Sequence, residues 1–138
     1  MRPVSRVAVR QGWVDKSQTR FLGIPAVQIA ATHTGHGALH WANLTGQPLV
    51  ILDWEAWGRM PVGFGIGLLH AYSLTCPATA QRSQAEFDST PNSPAGRVGE
   101  LIAVGRLLQV VHRGGHPELA LPLERHAQHL TGVPVPAP

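Results

Sequence analysis

Apolar positions are most regularly spaced toward the C-terminus. Val98, Leu101, Ile102, Leu108 and Val111 recur at helical spacing, and Val104 and Leu107 widen the stripe. Ser93 is placed to cap, and Pro94 suits a first helical position. Gly114 follows Arg113 as a stop. This pattern predicts a well-buried helix over Pro94–Arg113. A second helix is predicted over Pro122–Leu130, with Leu123, Ala127 and Leu130 on one side and Gly132 as its end. Ile66–Leu74 reads as a buried helix terminated by Pro77, with Gly67 marking close packing or a weak start. Gln81–Phe87 reads as one or two helical turns.

Period-two alternation appears once. Val27 and Ile29 flank Gln28, and a strand is predicted over Ala26–Thr34. Leu49–Leu52 is a short, wholly apolar run, expected as a buried strand, and Thr45-Gly46-Gln47-Pro48 before it is a turn by composition. Gly58, Pro61, Gly63 and Gly65 predict a loop over Gly58–Gly65, and Asp88–Pro94 reads as another. Val4, Val7 and Ala8 would share a helical face that Gly12 interrupts. Phe21–Pro25 reads as a connector, and the whole segment 1–25 as a connecting segment ahead of the domain. Val133–Pro138 reads as a Pro-rich tail, extended or disordered.

Composition narrows the class. The 138 residues suffice for one domain, and 43% hydrophobic content for a real core. Charged residues make up only 14%, which predicts a neutral-polar surface or one covered by another chain. The net charge is +3 and the arginines are scattered, only Arg2, Arg6 and Arg10 clustering. No basic stripe with interleaved aromatics appears, so no nucleic-acid partner is expected. Cys76 is the single cysteine, which excludes an internal disulfide and a cysteine-built zinc site. Met1–Val14 lacks an apolar signal core, and Pro61–Pro77, the most apolar window, is too short to span a bilayer. A cytoplasmic protein without membrane association is expected.

One stretch concentrates chemistry. His36, His40, Asn43, Asp53 and Glu55 fall within Gly35–Glu55, interleaved with apolar sequence. Two short strands flanking a polar loop would bring them together. The run His36-Gly37-x-Leu39-His40-x-x-Asn43, with Asp53 about ten residues on, resembles the catalytic segment of the aminoglycoside phosphotransferase and choline kinase-like family. The likeness continues in Trp54-Glu55-x-Trp57-Gly58, in the Pro61–Gly63 turn and in Leu68-Leu69-His70-Ala71-Tyr72, covering roughly Thr32 to Leu74.

The resemblance implies an α+β fold. It would be a protein-kinase-like C-lobe over residues 26–131, mostly helical, with a short β-hairpin carrying the catalytic loop and a tail over 132–138. It implies ATP and Mg²⁺ as cofactors and a small-molecule hydroxyl as acceptor, since phosphoryl transfer needs charge neutralisation and a positioned nucleophile. It makes Asn43 and Asp53 the metal ligands, oxygen donors suited to a hard cation. Glu55 would bind metal through water or hold the loop, His36 would tie the loop to backbone, and His40 would lie on the phosphate side.

Three departures qualify it. The family's catalytic base occupies the position of Ala38, whose methyl group can neither accept a proton nor orient a hydroxyl. Gly65 stands where the family commonly carries a helix-capping aspartate. No Gly-rich loop with a lysine-bearing strand precedes residue 30, so an N-lobe is expected to be absent or supplied by another chain. The expectation is a degenerate phosphotransferase-like lobe, inactive alone. Two alternatives stay open. One is a pseudokinase-type interaction module that docks a protein partner or a second copy. The other is a metal-binding protein using His33, His36 and His40 with Asp53 as a zinc set. Trp41, Trp54 and Trp57 read as packing residues. His112 with His116 and His126 with His129 read as solvated surface pairs. Glu100 reads as an isolated acid.

Overall fold

The computed structural model describes residues 6–86 and 93–138. Seven regular elements follow in order: α1 (Gln11–Ser17), β1 (Thr32–His36), β2 (Trp57–Pro61), α2 (Phe64–Tyr72), α3 (Pro77–Glu86), α4 (Pro94–His112) and α5 (Ala120–Thr131). Helix and sheet are mixed, as an α+β class requires. The sheet has two antiparallel strands, paired from Thr32↔Pro61 to His36↔Trp57. The N-terminal arm lies beside it: the Ala8 amide donates to the Arg59 carbonyl at 2.8 Å, and the Arg59 amide donates to the Arg6 carbonyl at 2.8 Å.

Helix α4 is the axis of the fold. The Ser93 hydroxyl accepts from the Gly96 amide at 3.0 Å, supplying the cap its sequence predicts. Gly114, in the left-handed region at φ 92°, follows the end. Ile102, Ala103, Val104, Leu107 and Leu108 are essentially inaccessible. Burial of each large side chain contributes about 1.5–3 kcal/mol. Leu68 and Ala71 of α2 and Leu123 and Ala127 of α5 join the same core. Gly99 marks the place where α4 meets the turn before α2. A Cβ there would stand 2.0 Å from the Val62 carbonyl oxygen, so no other residue fits without displacing the backbone.

Several expectations are corrected. Segment 1–25 does not act as a mere connector. Gly12 lies inside α1, the helix continues as a π-helical turn over Gln18–Leu22, and Val9, Val14, Phe21 and Leu22 enter the main core. A single glycine costs only about 1 kcal/mol in a helix, less than the burial of Val14, Phe21 and Leu22 returns. Residues 1–5, including Val4, lie outside the described residues. The strand expected over Ala26–Thr34 occupies Thr32–His36 instead, where β2 offers a partner. The loop expected over Gly58–Gly65 contains most of β2 and the start of α2, because β1 on one edge and the N-terminal arm on the other hold the segment extended despite Gly58 and Pro61.

Leu49–Leu52 is not a buried strand. Leu49 is 68% exposed, Val50 44% and Leu52 45%. The run makes one isolated bridge, Leu44↔Ile51, closed by the Thr45 amide donating to the Val50 carbonyl at 3.0 Å. Pro77 does not only follow α2; it opens α3, which is longer than the one or two turns expected. Most of the loop expected over Asp88–Pro94, and Phe87, lie outside the described residues. The C-terminal tail is extended and packed: Val135 lies against the core.

Candidate functional site

The polar residues of the 36–55 stretch sit in an excursion between the ends of β1 and β2. His36, the last residue of β1, is 7% exposed. Its Nε2 lies 2.7 Å from the Leu52 carbonyl oxygen, and its Nδ1 accepts from the Ala38 amide at 3.2 Å. A carbonyl can only accept, so the proton belongs on Nε2. The Trp54 ring stands edge-on to the imidazole, centroids 4.7 Å apart, and its indole N–H donates to the Ile51 carbonyl at 2.7 Å. The Gly37 amide donates to the Ala56 carbonyl at 3.1 Å. That oxygen would lie 2.2 Å from any Cβ at position 37, which explains the glycine after His36.

Asn43 closes the other side. Its side-chain N–H₂ donates to the Ala38 carbonyl at 2.8 Å, which leaves the amide oxygen as the atom with lone pairs to offer. The Leu52 amide donates to the Asn43 carbonyl at 2.7 Å, placing Asp53 one residue beyond the backbone that Asn43 pairs with. Asp53 is exposed and left-handed, φ 58°, ψ 67°. A non-glycine residue there stores of order 1–3 kcal/mol of strain. The backbone thus brings Asn43 beside Leu52, the residue before Asp53. Glu55 is exposed, and its backbone carbonyl accepts from the Arg6 guanidinium. Ala38 is half-buried with both backbone groups engaged, and its methyl side chain has no polar atom to offer.

His40 points elsewhere. Its ring lies flat on Tyr72, centroids 3.6 Å apart and planes 3° from parallel, while Nδ1 accepts from the Ala42 amide at 3.4 Å. His116 meets it edge-on at 5.5 Å. Burial pushes the His40 pKa down, with help from His116, against a smaller upward pull from Glu118. Burial also pushes the Tyr72 phenol up. His116 is therefore part of an aromatic group rather than a solvated pair with His112, whose ring contacts Phe21 at 5.3 Å. Trp41 donates its indole N–H to the Ser73 hydroxyl at 2.7 Å, and that hydroxyl donates to the Leu69 carbonyl at 2.8 Å. His40 and Trp41 thus pin the excursion to the end of α2.

The zinc set does not assemble. His33 and His36 are three apart on β1 and face opposite sides of the strand. Among the described residues no group of three His, Cys, Asp or Glu is placed to hold a metal ion.

A second polar cluster escaped sequence reasoning. Glu100 is 7% exposed in the middle of α4, and its Oε1 lies 3.3 Å from His126 Nε2 on α5. His70 of α2 stands 5.1 Å from the His126 ring. His126 is therefore not a surface residue, nor is Glu100 isolated. One signal was available: Glu100 falls inside the apolar stripe of α4, adjacent to Leu101. An acid on a buried face needs a partner.

Exposed large apolar side chains are concentrated beside the loop. Among the described residues, Trp41, Leu49, Val50, Leu52, Trp54 and Trp57 all stay accessible, and outside this stretch only Leu121 does. No described helix is long and apolar enough to cross a membrane. Comparison of the chain with protein-family models, curated proteins and solved structures returns no match.

Proposed function

We propose that the chain is a degenerate phosphotransferase-like lobe of the aminoglycoside phosphotransferase type, with a Mg²⁺–nucleotide-facing loop but no general base. The observation that carries this reading is the stitching of the loop. His36 and Asn43 spend their donors on the Leu52 and Ala38 carbonyls, and this leaves the Asn43 amide oxygen and the Asp53 carboxylate uncommitted. Those are hard oxygen donors, which suit an ion that keeps several waters and shares phosphate oxygens. Asn43 and Asp53 would hold the Mg²⁺, which would neutralise phosphate charge. His36 would hold the Asp53-bearing segment against the loop. With a methyl group at Ala38, the general-base contribution of about 10²–10⁴ in rate, roughly 3–5 kcal/mol, is lost. Binding is then the retained property, and transfer to a small-molecule hydroxyl the ancestral one.

Calorimetric titration of the full chain with Mg·ATP tests this. Saturable binding that needs Mg²⁺ and weakens at least about tenfold in Asp53→Asn, a ratio worth about 1.4 kcal/mol, is expected. No binding, or binding indifferent to Asp53→Asn, overturns it. Ala38→Asp with Gly65→Asp should then raise ATP turnover when a lobe bearing the Gly-rich loop is supplied. A Cβ at position 65 meets only Leu39 Cδ2, at 3.7 Å, so the second carboxylate fits beside the loop.

A second reading is favoured by the exposed apolar row from Trp41 to Trp57. It is a non-enzymatic module that docks a chain carrying the missing lobe, since this row borders the face an N-lobe would cover. Contiguous apolar exposure of this kind marks interaction sites. Co-purification lost in Leu49→Ser with Trp54→Ser, while Mg·ATP binding persists, would separate the two.

A further inference from the structure

Helices α2, α3, α4 and α5 enclose a cleft of about 470 Å³ that shares no residue with the loop over 36–55. Its size falls in the range of small-molecule sites, roughly 300–1,000 Å³. The floor is built from His70, Glu100 and His126, each on a different helix. Behind it lies a recess of about 10 Å³, lined by His70 and Ser83, with room for about one water. The Ser83 hydroxyl is buried without a hydrogen-bond partner. A buried orphan of this kind is destabilising unless a water or ligand atom answers it.

The polar balance of the lining points one way. Glu100 is the only carboxylate described in the lining, and His126 already occupies it at 3.3 Å. The groups left over are one guanidinium, which can only donate, and a ring and an amide that each can donate. Arg97 is exposed at the mouth and makes no ion pair among the described residues; His129 stands beside His126 on α5, also exposed; Gln84 adds an amide. Leu101 and Leu130 give one apolar wall. The geometry points to a binding site for a small organic oxyanion, a carboxylate or a phosphate monoester on a compact apolar body. Arg97 and His129 meet the oxyanion at the mouth, and Leu101 and Leu130 take the apolar part, while His126 Nε2 and Glu100 Oε1 occupy each other at 3.3 Å on the floor. A guanidinium fork and an imidazole are matched to planar or tetrahedral oxygen groups.

The experiment is a titration of the full chain, labelled with ¹⁵N in its histidine rings, followed by NMR. Benzoate and phenyl phosphate are the two anionic probes, and phenyltrimethylammonium is the cationic control. Saturable shifts of the His126 and His129 rings with one or both anions are expected, with Kd below about 1 mM, equivalent to roughly 4 kcal/mol. The tighter anion identifies the head group. Arg97→Gln, an exposed change, should weaken that Kd about tenfold, and Asp53→Asn should leave it unaltered, which keeps this site separate from the loop. Linear shifts without saturation, equal response to the cation, or an affinity untouched by Arg97→Gln would overturn the assignment.

Discussion

His36→Ala is the substitution that most directly tests how the loop is held. The change deletes the bonds to the Leu52 carbonyl and the Ala38 amide and the edge contact with Trp54. Each hydrogen bond contributes about 0.5–1.5 kcal/mol net, and the ring pair about 0.5–1.5 kcal/mol beyond its area. The sum is about 2–4 kcal/mol. Its location matters as much as its size. No residue between 37 and 56 belongs to the main core, so the loss should fall on local opening of the loop and leave global unfolding nearly unmoved. At about 1.4 kcal/mol per decade, amide hydrogen exchange at Leu52 and Gly37 should accelerate roughly 30- to 700-fold. Exchange at Ile102 and Leu107, on α4, should change less than about threefold, since local and global opening are separable. If the Leu52 amide exchanges at its original rate in His36→Ala, the imidazole is not what holds the loop. If Ile102 accelerates as much as Leu52, the loop and the core open together.

Gly99→Ala forces a Cβ to 2.0 Å from the Val62 oxygen and should cost at least about 2 kcal/mol in urea unfolding. Gly105→Ala, whose Cβ would stand 3.5 Å from Gln18 Nε2, should be neutral or gain up to about 1 kcal/mol; a reversed order would refute the packing at the α2–α4 crossing. The pH dependence has a definite sign. Burial holds His70 below its ordinary range, aided by His126 and opposed by Glu100 and the Ala80 carbonyl, and burial also lowers His40. The folded state thus binds fewer protons than the unfolded state just below the ordinary histidine pKa. Stability should be fullest above about pH 6.5 and fall as pH drops through the lowered pKa values. Urea midpoints at pH 7.5 and 5.5 measure it, and His70→Gln should flatten the slope. A steeper slope in that variant would contradict the assignment.

Local rules made some of the molecule readable and left other parts hidden. Helix α4 could be read because its cap, its N-terminal proline and its closing glycine all lie within the segment. In α5 only the closing Gly132 is such a signal, and the helix starts at Ala120, two residues before the expected Pro122. Strand β2 was hidden because Trp57–Pro61 is a strand only by virtue of pairing with Thr32–His36, a contact distant in sequence, while its own Gly58 and Pro61 argue for a loop. Leu49–Leu52 misled in the opposite sense: apolar character predicts burial only where something is available to pack on it. Within the loop, the spacing of His36, Asn43 and Asp53 announced a convergence, and the backbone does bring Asn43 beside the residue before Asp53. The fate of His40 was not readable, since its partner Tyr72 belongs to another helix. Glu100 and His126 were hidden for the same reason, being 26 residues apart and joined only by the packing of α4 on α5.

The pairing of His36 with Trp57 has a consequence for how this chain can change. Those two residues close the hairpin, so everything from 37 to 56 leaves and re-enters the fold at one point. Closing a loop costs only about 0.6 kcal/mol more for each doubling of its length. The excursion is therefore a cassette. It can be lengthened or rewritten at small expense to the helices behind it, so long as the His40–Tyr72 stack and the Trp41–Ser73 bond that tie it to α2 are kept or replaced.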